Sequence, residues 1–517
     1  MASAYNPIAG TTQALGWLVK NATDSWNATI LLFDLVIGAL VGVLYVSGSL
    51  HSLAESLSRR VKTARGASLA TTVLGTVVFF DDYANTIIVG NTMRPLADRF
   101  RVSRELLSYI VDSTAASVAG IALVSTWIGY EVGQIKAALA TLQEKVAAGR
   151  LAIAPDVGPY AIWLSALPYH FYSILAIVMV YLVIVFRKHF GPMLTAEARA
   201  VNEGRVLRDG AMPLMPTETV LGEPPKEKRA SPLLFVASIA VLVSVTLIGM
   251  WYTGAQVIIE SYTKEGVIYK LPWWTIPFSE ALMESDAATA LLWGSFAAYL
   301  VALAGVLILR VLSFSKAMEY TIKGMYTMLY ANAILLLAWS IKTATDTVGT
   351  ADYVVSHAVS VGVPAHATPL LIFLVSMFIS YTTGTSWGTF GLMMPIAVPL
   401  AWKLAIVQLG DPGLAYSLTA AAIGAVFGGG IYGDHVSPIS DTTIMSSMFS
   451  GCDHVDHVKT QLPYGTAAAF SSLPLYLLML AGVVNPLILL PLGIAVVVLV
   501  YQVMTRKTRQ IPNFKAY

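Results

Sequence analysis

Charge is what this sequence has least of. Only 12% of its 517 residues are Asp, Glu, Lys or Arg, where a soluble domain carries about 25%. Hydrophobic residues make up 56% and mean hydropathy is +0.68. That balance excludes a water-soluble globular protein and leaves an all-α chain that crosses a membrane many times. A single cysteine, Cys452, rules out an internal disulfide framework. There is no G-x-x-x-x-G-K-[ST] loop, which argues against a nucleotide-driven pump. Without an H-E-x-x-H helix or a G-x-S-x-G elbow, an intramembrane hydrolase lacks its machinery. The N-terminus has no basic region followed by an apolar core, so no cleavable signal is read. A net charge of +2 gives no reason to expect a nucleic-acid partner.

What is abundant is apolar runs of spanning length. A hydrocarbon core of about 30 Å needs roughly 20 apolar residues as helix. Runs at 27–49, 106–130, 159–187, 231–252, 286–312, 325–346, 414–449, 464–482 and 486–504 meet that need. Two further segments, 67–97 and 366–402, are apolar but interrupted. The first carries Asp81-Asp82 at its centre and has basic clusters on both sides: Arg59, Arg60, Lys62 and Arg65 before it, Arg94, Arg99, Arg101 and Arg104 after it. A single crossing would put these clusters on opposite sides of the membrane. The positive-inside rule therefore favours a re-entrant hairpin with both clusters in the cytoplasm. Such a hairpin is allowed only where protein or water shields its tip. The resulting topology has an external segment 1–26, a first repeat 27–187, a cytoplasmic and poorly ordered linker 188–230, connecting spans 231–312, a second repeat 325–504 and a basic cytoplasmic tail 505–517. Trp273 and Trp274 suit an interface anchor.

The halves repeat. Span, hairpin, broken span and span recur in the second half at an offset of about 300 residues, but entering from the other side, as in inverted-repeat secondary transporters. The expected fold has about nine spanning helices, two re-entrant hairpins and two broken helices.

The interruptions carry the chemistry. Two adjacent carboxylates in hydrocarbon each cost about 2.5–3.5 kcal/mol on insertion scales, so Asp81 and Asp82 need a cation, water or polar neighbours. Asn85 and Thr86 beside them offer oxygen ligands for a hard cation. Three other interruptions supply Asp112, Ser113 and Thr114; Thr385 and Ser386; and Asp434, Ser437, Ser440, Asp441 and Thr442. Together these residues form a candidate cation and proton site, with hydroxyls replacing ion hydration. Close, poorly solvated carboxylates would bind either a proton or a cation. Such exchange calls for no cofactor; its substrates are the transported sodium ion and proton.

Other polar residues have plainer readings. Asp453-His454-Val455-Asp456-His457 reads as a solvated helix cap, with His454 and His457 as a candidate pH sensor. His435 reads equally as a proton relay or a structural hydrogen-bonding group. Asp34 faces either the pathway or an interior partner, and Lys342 snorkels from a span end.

Phe80–Thr86 followed by Ile87-Ile88-Val89-Gly90-Asn91-Thr92-Met93-Arg94-Pro95 resembles the NhaC-type sodium/proton antiporter family. The likeness extends through Asp112–Ala116, Ser125–Glu131, Thr385–Gly391, Gly433–Thr443 and Gly451–His454. It implies a multi-pass protein of the cytoplasmic membrane, N-terminus outside and C-terminus inside, exchanging sodium or lithium for protons by alternating access. Some relatives are thought to carry organic anions or amino acids, which is the alternative expectation. The bilayer and a small cation are the implied partners, and a homodimer is an open option. Two departures stand out: Ser117 occupies a position where proline is expected, and the stretch ahead of the first span is shorter than expected.

Overall fold

The structure, a computed structural model, describes residues 6–59, 61–79, 81–149, 151–213, 229–264 and 272–506. Apart from one isolated bridge between Pro213 and Asp453, the regular elements among these residues are helices. Eight are long and apolar enough to span a membrane. The expectations for Phe80, most of the tail 505–517 and part of the linker, 214–228, fall outside the described residues, as do the side chains of Lys342 and Asp441.

Helix α1 (Pro7–Thr23) occupies the segment read as an external stretch, and it abuts α2 (Ser25–Val46) at Asp24. The Asp24 carboxylate accepts the Asn27 N–H and so caps α2. After α3 (Ser49–Ser58) come α4 (Ala64–Val77) and α5 (Asp82–Arg99), the two arms of the first interrupted segment. They pack on each other, and the break between them falls at Asp81, as read from the sequence.

Helices α6 (Arg104–Ala119) and α7 (Thr126–Ala147) correct one expectation. The sequence reading broke this span near Asp112–Ser117, but α6 runs unbroken through those residues. The break lies at 120–125, where Gly120 ends α6. Ser125 closes the gap from both sides: its hydroxyl donates to Ala119 O at 2.8 Å and accepts the Ile128 N–H that opens α7.

Helix α8 (Pro159–Ala166) and α9 (Phe171–Phe186) are separated by a 3-10 turn containing Pro168, the expected break. Helix α10 (Gly191–Glu203) corrects the picture of a poorly ordered linker. Its Glu197 is buried and accepts the N–H of Ser103 at 2.8 Å, and its Arg199 pairs with Glu105 at 2.9 Å to both carboxylate oxygens. The linker's start is thus clamped to the head of α6.

The connecting part consists of α11 (Pro232–Lys264), α12 (Phe278–Met283) and α13 (Ala287–Ile308). In the second half, α14 (Phe314–Thr327), α15 (Leu329–Thr347) and α16 (Thr350–Ser360) lead to α17 (Thr368–Thr383) and α18 (Ser386–Leu409). Each arm of this pair, Ala365–Thr383 with the turn that leads into α17 and Ser386–Leu409, has the length and apolarity to cross a membrane, which the hairpin reading of 366–402 does not give them. Gly384 joins them at φ 69°, and a Cβ there would lie 2.7 Å from Ile439 O, so glycine is required on two counts. Then α19 (Pro412–Val436) and α20 (Asp441–Ser450) flank a break at 437–440, where expected. The chain closes with α21 (His454–Leu480) and α22 (Pro486–Met504).

The packing reveals how the halves interlock. Helices α4 and α5 pack on α6, while α17 and α18 pack on α19, so each interrupted pair braces the first part of its own broken helix. The second part of each broken helix crosses over: α20 packs on α5, and α7 packs on α18. Apolar burial gives helices little driving force in lipid, so such contacts rest on close packing and internal hydrogen bonds. The α7–α18 contact illustrates both. Trp127 and Tyr130 lie 5.3 and 5.0 Å from Trp387, and the Tyr130 hydroxyl donates to Trp387 O at 2.9 Å.

Candidate functional site

The crossover brings two carboxylates from different halves into one buried hydrogen-bond net. Asp112 lies mid-way along α6 and Asp434 near the end of α19, and each is about 1% exposed. The Asp434 carboxylate accepts Ser440 Oγ at 2.6 Å and Ser386 Oγ at 2.8 Å. The first donor sits at the break after α19 and the second opens α18. Asp112 accepts Thr443 Oγ1 at 3.0 Å and Ser446 Oγ at 3.3 Å, both from α20, and Gln461 Nε2 at 2.5 Å from α21. Thr443 also lies 3.1 Å from Asp434 O, and Gln461 Nε2 bonds His435 O, so both residues tie the two carboxylate segments together. Thr442 joins through Ser440 at 3.0 Å.

His435 is held on both nitrogens, Nε2 by Ser113 Oγ at 2.8 Å and Nδ1 by the Tyr172 hydroxyl of α9 at 2.6 Å. The imidazole therefore links α6, α9 and α19. Two further histidines, His454 and His457, meet at Ser447. Ser447 Oγ lies 3.0 Å from His454 Nδ1 and 2.7 Å from His457 Nδ1, and its hydroxyl is also 2.8 Å from Thr443 O. His457 Nε2 faces Gln461 Oε1 at 2.8 Å and lies 3.9 Å from Asp112. His454 Nε2 faces Pro438 O at 2.7 Å.

Those partners dictate the tautomers. Both Nε2 atoms face carbonyl oxygens and so carry the hydrogen, which leaves both Nδ1 atoms as acceptors when the rings are neutral. Ser447 has one hydroxyl hydrogen to satisfy two ring nitrogens and a carbonyl. The two rings therefore compete for one hydroxyl hydrogen.

The tip of the first interrupted segment forms a neighbouring centre. Asp81 is buried and accepts Thr126 Oγ1 of α7 at 3.0 Å. Asp34 of α2 is also buried and within electrostatic reach of Asp81. Asp82, fully buried, opens α5, where a negative charge suits the helix dipole. Asn85 is largely engaged by backbone: its Nδ2 lies 2.6 Å from Gly75 O, 3.0 Å from Val78 O and 3.2 Å from Thr114 O. These bonds cap the carbonyl end of α4 and tie it to α6, leaving only Oδ1 of this side chain open to a ligand.

Several expected ligands are likewise spent on backbone. Thr86 donates to Tyr83 O, Thr114 to Ile110 O and Ser437 to Tyr381 O, while Thr385 caps α18. Among the described residues, no three His, Cys, Asp or Glu side chains converge to hold a metal ion. Sequence reasoning missed Thr443, Ser446, Ser447, Gln461, Tyr172 and Thr126 as site members. Gln461 offered a signal: an amide four residues after His457 lies on the same helix face.

The chain is similar to known proteins in sequence and in fold. Residues 118–480 match the model of the Na+/H+ antiporter family. An uncharacterized Haemophilus influenzae protein is 33% identical over 464 residues, 88% of this chain and 80% of that one. The malate-2H(+)/Na(+)-lactate antiporter of Bacillus subtilis is 32% identical over 109 residues, 21% of this chain and 19% of its own. In fold, the chain is similar to the crystal structure of the Alcanivorax borkumensis YdaH transporter, with a TM-score of 0.53 at 13% identity, covering 93% of this chain and 90% of that one. This is a multi-pass membrane transporter and not an enzyme, and the chain belongs to the Na+/H+ antiporter family.

Proposed function

We propose that the protein exchanges sodium, or lithium, for protons across the cytoplasmic membrane by alternating access. The observation that carries this reading is the Asp112–Asp434 net, in which Thr443 and Gln461 reach from the buried Asp112 carboxylate to the backbone carbonyls of Asp434 and His435, on the segment that carries the second buried carboxylate. Ser386, Ser440, Thr443 and Ser446 direct their hydrogens at the carboxylates and keep oxygen lone pairs for a hard cation. Protons neutralise the same carboxylates, so cation and proton exclude one another. Because the net bridges the halves, a change in its charge alters how α20 and α6 are held together. No cofactor enters this scheme, and the N-terminus is assigned to the outer face and the C-terminus to the cytoplasm.

A second reading, exchange of small organic acids or amino acids coupled to sodium or protons, draws on the likeness to a relative named as a malate and lactate antiporter. Proteoliposomes separate the two. Addition of sodium or lithium should shift internal pH without any organic solute. A response only when lactate, malate or an amino acid is supplied would overturn the first reading in favour of the second.

A further inference from the structure

Far from the carboxylate net, a cavity of about 520 Å³ lies where the ends of α9 and α22 meet. Its lining is Phe186, Lys188, Val498, Tyr501, Gln502 and Arg506, with Thr505 beside them. We propose that this cavity is a binding site for the phosphate headgroup and upper acyl chain of an anionic phospholipid.

The lining has the composition of an amphiphile's partner. Lys188 and Arg506 are exposed cations, and neither forms an ion pair among the described residues. The other polar groups are partly engaged internally: the Tyr501 hydroxyl donates to Lys188 O at 2.9 Å and the Thr505 hydroxyl to Tyr501 O at 2.8 Å. Those bonds shape the cavity and leave the two cations to meet an anion. The apolar side is equally distinctive. Phe186, 55% exposed, and Val498 form the apolar lining with the Tyr501 ring, and Val185 on α9 and Leu499 and Val503 on α22 are further exposed apolar side chains on the same two helix ends. Helix α22 and the stretch that begins with α9 are apolar enough to span, which suits these exposed side chains to lipid tails. A free anion would use the cations and ignore this apolar wall; a phospholipid uses both. Basic pockets between span ends are where anionic headgroups bind, because the charge attracts them and the wall receives the chain.

The site also has a mechanical link to the centre. Helix α9 carries Phe186 at one end and, at its other end, Tyr172, whose hydroxyl holds His435. Lipid seated against α9 would steady the helix that positions that imidazole. The binding claim itself is independent of which ion or solute is transported.

The test uses the whole detergent-purified protein, with lipid retention followed by native mass spectrometry and unfolding followed on heating. Phosphatidylglycerol should be retained and should raise the unfolding temperature; phosphatidylcholine should do neither. The double variant K188Q/R506Q should weaken phosphatidylglycerol binding about thirtyfold, each single variant about fivefold, and K188R/R506K little. Circular dichroism checks that each variant is folded, and the single variants carry the test should the double one fail that check. Equal retention of the two lipids, or unchanged binding in the Gln variants, would overturn the proposal. Inorganic phosphate alone, producing the full thermal shift, would overturn the lipid assignment and leave a simple anion site.

Discussion

Thr443 of the second half donates its hydroxyl to Asp112 of the first at 3.0 Å, while its oxygen also lies 3.1 Å from the backbone carbonyl of Asp434. One threonine thus reports the charge on one half's carboxylate to the segment that carries the other's. Removing either carboxylate should stop exchange. Asp112→Asn and Asp434→Asn are expected to fold and insert yet show no sodium-driven proton movement in proteoliposomes. Thr443→Val should keep some activity with sodium affinity weakened about tenfold or more, since a hydrogen bond to a charged group contributes about 1.5–3 kcal/mol. Wild-type exchange in either Asn variant would remove that residue from the site.

Sodium affinity should weaken as pH falls, because proton and cation neutralise the same charge. In the limit the change is tenfold per pH unit, or about 1.4 kcal/mol. The Ser447–His454–His457 cluster is a second candidate origin of such an activity profile, since imidazoles change charge in this pH range and both rings meet at one hydroxyl. The double variant H454Q/H457Q distinguishes them: competition at the carboxylates survives, whereas a profile set by the histidines flattens. A sodium affinity constant from about pH 6 to 9 in the unaltered protein would refute shared-site competition.

The re-entrant reading of α4 and α5 can be tested by labelling. Cys452 is buried, so the background is low. Cysteines introduced at the exposed positions Arg59 and Arg99, which flank the pair, should both react with a membrane-impermeant reagent only from the cytoplasmic side. Labelling from opposite sides would make the segment a single crossing.

Close helix packing should tolerate little at Gly42. A Cβ there would lie 2.1 Å from Tyr320 O, where α2 crosses α14, and the facing residue is Gly324. Backbone cannot yield as a flexible side chain does. Gly42→Leu should therefore lower stability by about 1–3 kcal/mol, or prevent assembly, as overpacking does. Thermal unfolding of purified protein gives the answer, and an unchanged midpoint would contradict this crossing.

Asp453 predicts a pH-dependent stability. Burial acts to raise its carboxyl pKa, but the N–H groups of Met212, Val455 and Asp456, with Arg208 nearby, outweigh it and hold the pKa below the ordinary carboxylate value. The folded state thus favours the charged form. Its contribution is full above the unfolded carboxylate pKa, about 4, and is lost as pH falls through the lower folded value. Asp453→Ala should cost about 1 kcal/mol near neutral pH, as loss of a helix cap does, and the deficit should shrink in acid. A deficit that did not depend on pH would point to lost packing instead.

Local residue chemistry made much of this protein legible in one dimension. Scarcity of charge fixes the solvent as lipid, and apolar runs fix where most spans lie. Gly384, Pro438 and the Asp81-Asp82 pair announce their breaks, because each disfavours continuous helix at membrane depth. The break at 120–125 was hidden. Its residues, Gly120-Ile121-Ala122-Leu123-Val124-Ser125, are as apolar as helix, and only Ser125's bonds to Ala119 and Ile128 show that the chain stops and restarts there. Asp112 and Asp434 could be named from sequence, since a carboxylate in hydrocarbon must be accounted for. A threonine or glutamine need not be, for a hydroxyl or amide satisfies itself on its own helix as readily as on a distant partner. Thr114 does the former and Thr443 the latter, and composition does not distinguish them. That choice belongs to the crossover of α20 onto α5 and α6, which sets side chains hundreds of residues apart within hydrogen-bond distance. The sequence by itself determined that charge must be buried and where the helices would yield to it. Only the tertiary structure decided which neighbours answer that charge, because a hydrogen bond depends on distance in space and not on separation along the chain.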